Sequence, residues 1–230
     1  NCAVSNNQAR GLGIVLDAIE GDLLILDCKI NNNNFKGDGA GVHADVSIGR
    51  VKFENCTISA NVNPDNNRNN YYGGGVYIAS AANRIDFINC RISDNFSNSY
   101  NDDTTAYNYG GGIYIASGNV YLHNSILNAN KTDCYASYWG STSHPNAHSY
   151  GAGIYLDNGN LEMINCIVSN NSCSGLAPKG NTYLKGGGIY SRNGTVNLIN
   201  CTLANNDPSG FENQSGVATV LNSIVYSNSN

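Results

Sequence analysis

The sequence predicts an all-β fold, in which the chain winds into a parallel β-helix of about seven coils with variable loops on one side. Two observations carry this prediction. A unit of about 21–23 residues recurs along the chain, as in GGGIYIASGNVYLHNSILNAN at 110–130 and GGGIYSRNGTVNLINCTLANN at 186–206. Within each unit apolar and polar residues alternate, as in Val196-Asn197-Leu198, which is typical of strands with one buried face. We expect the helix to be right-handed, because parallel crossover connections strongly prefer that hand.

Two columns of asparagine mark the bends between the predicted strands. Equivalent residues of stacked coils lie roughly 4.8 Å apart, so each Asn amide can donate to one neighbour and accept from the other, at about 1 kcal/mol per bond. We therefore expect both columns to form buried Asn ladders. The first column contains Asn55, Asn89, Asn124, Asn165 and Asn200. The second contains Asn61, Asn95, Asn130, Asn171 and Asn206.

The variation in unit length falls between the last Asn of one unit and the glycine triplet of the next. Glycine allows the tight, closely approaching backbone that a loop needs where it re-enters the coil. We interpret residues 1–230 as a single β-helix domain, either a mature chain or a segment of a longer protein. The predicted loops are 34–38, 62–72, 96–109, 131–150, 172–185 and 207–215.

Composition narrows the classes of partner. The net charge is −5 with only 12 Lys and Arg residues, and no basic run occurs, which argues against a nucleic-acid partner. Charged residues make up 13% of the chain, about half the usual share. No apolar run approaches the roughly 18 residues of a transmembrane segment, so we predict no membrane span.

The eight cysteines divide into two groups. Six occupy one column of the repeat, where Ser125 and Ser223 also occur, so we expect a small buried column of free thiols. Cys134 and Cys173 lie in neighbouring loops, and we predict a disulfide between them, which would favour an extracellular setting. The alternative is that both loop cysteines are unpaired.

Tyrosine residues suggest a binding surface. By strand alternation Tyr77, Tyr114, Tyr155 and Tyr190 point outward and form a stripe that can stack against sugar rings or dock a protein. The loop 131–150 adds Tyr135, Tyr138 and Trp139, in a Tyr/Ser/Asn/Gly context typical of recognition loops. The alternative is that the long loops fold over the stripe and serve only as cover.

The repeat resembles that of right-handed parallel β-helix proteins of pectate-lyase-like architecture. The GGGIY and GGGVY segments, followed by FENC at 53–56 and FINC at 87–90, are similar to the repeats of polymorphic outer-membrane-protein passenger domains of bacteria. In this chain one residue separates each Phe from the Asn, where that family usually has two. The resemblance implies an extracellular or cell-surface location in a bacterium.

The sequence favours a non-enzymatic structural or adhesive β-helix protein with Tyr/Asn-rich loops as its binding surface. Its partners would be cell-surface glycans or proteins, or other copies of itself joined end to end through open coil ends. A carbohydrate-active lyase or hydrolase is the alternative, with Asp65 and the pair Asp102-Asp103 as the nearest candidate carboxylates. We predict no catalytic residues, no metal site and no cofactor, and leave a Ca²⁺ ion bound by loop carboxylates as a further alternative.

Overall fold

A computed structural model describes residues 2–7, 12–17, 21–46, 49–64, 70–81, 83–138 and 144–229. Every regular element in these ranges is a β-strand, and every strand pairing joins parallel neighbours. The chain visits three long sheets in turn and then repeats the circuit, so equivalent strands stack one coil apart. The predicted parallel β-helix is therefore confirmed. Within the described ranges there is no helix of the length and apolarity needed to cross a membrane.

The three long sheets form the walls of the coil. The Cys sheet, which bears the cysteine column, contains β1 (Cys2–Ser5), β4 (Cys28–Asn31), β7 (Thr57–Ser59), β11 (Arg91–Ser93), β16 (Ile126–Asn128), β21 (Ile167–Ser169), β26 (Thr202–Ala204) and β29 (Ile224–Tyr226). The Tyr sheet contains β2 (Ile14–Asp17), β5 (Val42–Val46), β9 (Val76–Ala81), β14 (Ile113–Ile115), β19 (Ile154–Leu156), β24 (Ile189–Ser191) and β27 (Phe211–Asn213). The Phe sheet contains β3 (Leu23–Leu26), β6 (Arg50–Glu54), β10 (Arg84–Ile88), β15 (Asn119–His123), β20 (Asn160–Ile164), β25 (Thr195–Ile199) and β28 (Val217–Leu221).

The long loops form a second structure, which we call the wing. Each of these loops leaves the Cys sheet as a strand. The longer loops return to the Tyr sheet as a second strand. The outgoing strands stack into one small parallel sheet and the returning strands into another. Wing sheet 1 contains β8 (Val62–Asn63), β12 (Phe96–Asp102), β17 (Lys131–Ser137) and β22 (Ser172–Leu176). Wing sheet 2 contains β13 (Ala106–Tyr109), β18 (Ala147–Tyr150) and β23 (Thr182–Lys185).

Two separate cores hold these layers together. Inside the coil, aliphatic columns and the stacked rings of Phe53 and Phe87, 4.9 Å apart, are fully buried. Inside the wing the facing side chains are small, with Ala106, Cys134 and Ala147 among those in contact. The Ser149 hydroxyl on wing sheet 2 donates to Thr132 Oγ1 on wing sheet 1 at 2.7 Å. Small residues thus let the two wing sheets lie close together.

The second Asn column forms the predicted buried ladder. Asn95 Nδ2 donates to Asn130 Oδ1 at 3.0 Å and to the Ile58 carbonyl at 3.0 Å. Asn95 Oδ1 accepts from the backbone N–H and the side-chain amide of Asn61. Every hydrogen-bonding atom of this buried amide is therefore satisfied. The same pattern repeats at the other members, which are Asn33, Asn61, Asn130, Asn171 and Asn206.

The prediction of burial for the first Asn column is wrong. These residues occupy the left-handed backbone region, with φ between 49° at Asn124 and 54° at Asn55, and their side chains are exposed. Some still bond to each other, as from Asn89 to Asn55 at 3.2 Å. The left-handed residue turns the chain outward at the bend, which places the column on the surface. The exposed members are Asn55, Asn89, Asn124, Asn165 and Asn200.

Glycine is required where loops rejoin the coil. Gly110 has φ +69°, a conformation that side chains rarely adopt. A Cβ on Gly112 would lie 2.6 Å from the Gly153 carbonyl oxygen and 3.0 Å from the Asn130 amide. The glycine triplets therefore give the Asn ladder the space it occupies.

The cysteine column consists of free thiols, as expected. The predicted disulfide between Cys134 and Cys173 is absent, since both are free and buried. The strand register explains this result, because Cys173 lies beside Thr132 whereas Cys134 lies beside Gly175. The two cysteines are thus diagonal neighbours, whose Cα atoms lie roughly 7–8 Å apart in a sheet, beyond the usual reach of a disulfide.

Candidate binding cleft

An aromatic ladder follows the outer face of the Tyr sheet. His43, Tyr77, Tyr114, Tyr155 and Tyr190 take equivalent positions in successive coils. Neighbouring ring centroids are 5.0 to 5.4 Å apart, so the ring faces are occupied by one another. The predicted stripe exists, but it presents ring edges and hydroxyl groups rather than open faces.

A second row of tyrosines covers this ladder from the base of the wing. Tyr72 and Tyr109 each precede a glycine triplet, and Tyr150 precedes Gly-Ala-Gly. Each ring contacts the ladder residue of the following coil. The closest such pair is Tyr109 with Tyr155, at 4.5 Å. As a result Tyr155 is only 3% exposed. The alternative in which the loops fold over the stripe is therefore the observed one.

A third row lies farther out, on the outer face of wing sheet 2. Tyr107, His148 and Tyr183 are register partners, with ring centroids 4.9 and 4.7 Å apart. The Nδ1 atom of His148 lies 2.8 Å from the Tyr150 hydroxyl, which ties the third row to the second. The wing and the Tyr sheet thus meet at a concave aromatic corner.

This corner contains a cleft of about 480 Å³. Its rings come from all three rows, and one side is closed by an ion pair between Arg192 Nη1 and Asp157 Oδ1 at 2.8 Å. The lining residues are Tyr72, Tyr107, Tyr109, Tyr114, His148, Tyr155, Asp157 and Arg192. A concave surface of aromatic rings with a few polar groups is typical of ligand sites.

A polar depression of about 440 Å³ continues from the cleft. The Asp157–Arg192 pair lines both spaces, and the rest of the depression carries side-chain amides and a hydroxyl from Asn158, Asn193, Gln214 and Ser215. Gln214 Oε1 also accepts a hydrogen bond from the Tyr190 hydroxyl at 2.5 Å. The combined surface is therefore aromatic at one end and amide-rich at the other.

Burial favours the neutral form of several aromatic side chains of the cleft. Desolvation raises the pKa of Tyr72 to about 12 and raises the pKa of Tyr109 and Tyr155 further. Burial, followed by the nearby positive charge of Lys185, lowers the pKa of His148. Phenol groups therefore remain protonated and can donate hydrogen bonds to a ligand.

The structure separates the residues that the sequence placed on one surface. Tyr114 and Tyr155 line the cleft, whereas Tyr77 and Tyr190 support it through ring contacts. Tyr135 lies on wing sheet 1, where its ring stacks on Tyr100 at 5.3 Å, on the opposite side of the wing. Tyr138 is 39% exposed and packs near His144 beyond the end of the same strand. Trp139 lies outside the described residues.

Several cleft residues were missed by the sequence analysis. A signal for the second row was present, because a tyrosine precedes the glycines in YYGGG, YNYGGG and HSYGAG. No comparable pattern marked Arg192 or Asp157, which become neighbours only when the coils stack.

Of the candidate carboxylates that the structure describes, Asp102 and Asp103 do not line the cleft. Asp102 accepts a hydrogen bond from the Ser137 hydroxyl across wing sheet 1, and Asp65 lies outside the described residues. Asp86 is buried on the Phe sheet, where Arg50 and Arg84 bind it at 2.7 and 2.6 Å. Within the described residues no group of three or more His, Cys, Asp or Glu side chains is placed to hold a metal ion.

Comparisons of the chain with protein-family models, with curated proteins and with solved structures give no match.

Proposed function

We propose that this protein is an extracellular or cell-surface β-helix with a structural and adhesive role, which binds a glycan chain in the aromatic cleft. The observation that carries this proposal is the continuity of the aromatic cleft with the amide-lined depression. A sugar ring has C–H groups on its faces and hydroxyls around its rim. A site for it therefore needs both an apolar wall and many hydrogen-bonding groups, which this surface supplies.

The charges of the cleft favour a neutral glycan. Arg192 and Asp157 cancel each other through their 2.8 Å contact, and burial favours the neutral form of His148. An anionic sugar would need to displace Asp157 from Arg192, and the chain carries a net charge of −5. A neutral, hydroxyl-rich glycan would not need to break the ion pair and would not be repelled by the negative charge of the protein.

Binding without catalysis is the better proposal for this cleft. Glycoside hydrolysis uses two carboxylates that flank the scissile bond. Asp157 lines the cleft, but Arg192 binds its Oδ1 atom, which directs the carboxylate toward a cation. We also propose, from the resemblance of its repeats, that the chain is a pectate-lyase-like β-helix protein of a bacterial surface.

The test is a glycan-binding screen followed by a titration with the strongest ligand. We expect neutral glycans to be retained. Tyr107→Ala should weaken binding about tenfold, because Tyr107 lines the cleft and is half-buried. Tyr135→Ala is the matched control, since Tyr135 is also half-buried and stacked but lies outside the cleft.

Two results would contradict the proposal. One is that no neutral glycan is retained by the folded protein. The other is that the Tyr107 and Tyr135 variants lose affinity equally. Cleavage of a retained glycan, abolished by Asp157→Asn, would instead support the enzymatic alternative.

End-to-end assembly is a second candidate function. Val220 and Val225 face the interior of the coil, in register with the buried Leu198 and Leu203, yet they are 44% and 52% exposed. Unpaired strand edges and exposed apolar side chains favour contact with a further coil. Electron microscopy tests this candidate, since a filament should show a subunit rise of about 34 Å, that is, seven coils of roughly 4.8 Å.

A further inference from the structure

The wing ends one coil before the β-helix does. β22 is the last strand of wing sheet 1 and β23 the last strand of wing sheet 2. The next coil runs from β26 to β27 through the short segment 205–210, which meets the wing only at its base, where Asp207 lies beside Ser172. There the Cys173 N–H donates to the Asp207 carbonyl at 2.8 Å. Beyond that bond each of the two strands pairs with a strand on one side only within the described ranges, so the backbone groups on the other side have no strand partner there.

Side chains at this double edge are apolar and exposed. Leu184 faces the interior of the wing, in register with the buried Ser149, but is 36% exposed, because β23 is the last described strand of wing sheet 2. Leu176 is 54% exposed and Tyr183 37%. β22 carries no charged residue, and the one on β23 is Lys185, which is paired with Glu212 at 3.1 Å. The edge therefore lacks the exposed charges that usually prevent strands from pairing with another chain.

Charge differs between the two ends of the edge. Lys179 is exposed at the tip, in the turn between β22 and β23. At the base Asp207 is exposed, and Glu212 and Lys185 form an ion pair, so two negative groups and one positive group leave a net negative charge. An antiparallel copy of this edge would bring each positive tip to a negative base.

We propose that the open edge of the wing is an interface between two copies of this chain, in which β22 pairs with β22 and β23 with β23 of the partner. The two-fold axis of this dimer passes through wing sheet 1 and wing sheet 2. Rotation about it makes β22 antiparallel to the partner's β22 and β23 antiparallel to the partner's β23. One axis can serve both, because Gly175 of β22 and Leu184 of β23 lie opposite each other across the wing; an added Cβ on Gly175 would be 3.6 Å from Leu184 Cδ2.

This dimer gives partners to the edge strands and to the exposed apolar side chains of the wing. Both wing sheets become continuous across the interface, the outward backbone groups pair, and Leu184 is covered by its partner. The two coils lie on opposite sides of the joined wings, so the final coil of neither copy obstructs the contact. The interface is also separate from the aromatic cleft and from the ends of the coil.

The test is sedimentation velocity of the chain over a wide range of concentrations, combined with amide hydrogen exchange. We expect a monomer–dimer equilibrium, with concentration-dependent protection at 174–176 and 182–184. Leu184→Lys should abolish the dimer. Leu24→Lys is the matched control, since Leu24 is 53% exposed on the Phe sheet, and it should leave the dimer intact.

A charge exchange tests the orientation. Lys179→Glu should weaken dimerisation about fivefold, and adding Asp207→Lys to that variant should restore it. A chain that stays monomeric at all concentrations would overturn the proposal. So would a dimer that survives Leu184→Lys, or one whose protection lies at β28 and β29, which would assign the contact to the coil end instead.

Discussion

The Asn95 side chain donates to the Asn130 side-chain oxygen at 3.0 Å and receives two hydrogen bonds from Asn61 through its own oxygen. Each rung of the ladder therefore depends on the rungs before and after it. Because the Asn95 side chain is fully buried, an amide that loses its partner there is left with an unsatisfied polar group.

Asn95→Ala should lower the free energy of unfolding by about 3 kcal/mol or more, since it leaves several buried polar groups without partners. Asn89→Gly is the control, because Asn89 is exposed and has φ 52°, which glycine accepts readily. We expect that control to remain within about 0.5 kcal/mol of the parent. Urea unfolding measures both, and equal losses would contradict a special role for the buried ladder.

Gly112→Ala should destabilise the chain by about 1–3 kcal/mol, because the added Cβ would lie 2.6 Å from the Gly153 carbonyl oxygen. Gly21→Ala is the matched control, since an added Cβ there meets no atom within 4 Å. It should be neutral or slightly stabilising. Thermal unfolding of the two variants compares them directly, and a Gly112 variant as stable as the control would show that the ladder can move aside.

Acidification should destabilise the wing through His148. Burial and Lys185 hold its pKa below the usual value, so the unfolded chain binds a proton more readily than the folded one. Stability from this group is therefore fully present above about pH 6.5 and declines as the pH falls from there through the folded pKa. The groups that face His148 are Tyr107, Tyr150, Tyr183 and Lys185.

The measurement for His148 is urea unfolding across this pH range in the parent and in His148→Phe. The variant keeps an aromatic ring in the row but cannot bind a proton. Its stability should vary less with pH below about 6.5 than that of the parent. Identical pH dependence in the two proteins would show that His148 does not contribute.

Thiol labelling should distinguish one cysteine from the rest. Cys2 is exposed, Cys28 is half-buried, and the remaining six are buried. We expect Cys2 to react first in the native protein, and all eight cysteines to react after unfolding without a reductant. Mass mapping would then show Cys134 and Cys173 both alkylated. Resistance of that pair until a reductant is added would contradict the free state of these thiols.

The coil was predictable because its signals are local. Alternation of the kind seen at Val196 and Leu198 fixes which side chains face inward, and the repeat fixes the stacking. The same logic failed at the bends, where a left-handed residue such as Asn89 breaks the alternation. For that reason two columns of identical residue type have opposite exposure.

The wing was not predictable as a sheet structure, because its interior does not look apolar. In β12 the buried positions are Ser97, Ser99 and Asn101, so the usual contrast between apolar and polar residues is missing. The cleft was partly predictable for a related reason. Its tyrosines recur with the repeat, but Arg192 and Asp157 meet only through stacking of coils that are distant in sequence.

The Asn ladder also has a mechanical consequence. Its rungs join residues that are 26, 28, 34, 35, 41, 35 and 22 positions apart in the chain, so each rung closes one coil, and the coils range from 22 to 41 residues in length. Tension applied to the two ends would load the terminal rung alone and pass inward only after it ruptures. The molecule would then lengthen in unequal steps, each the length of one coil, and would dissipate work gradually under a steady pull.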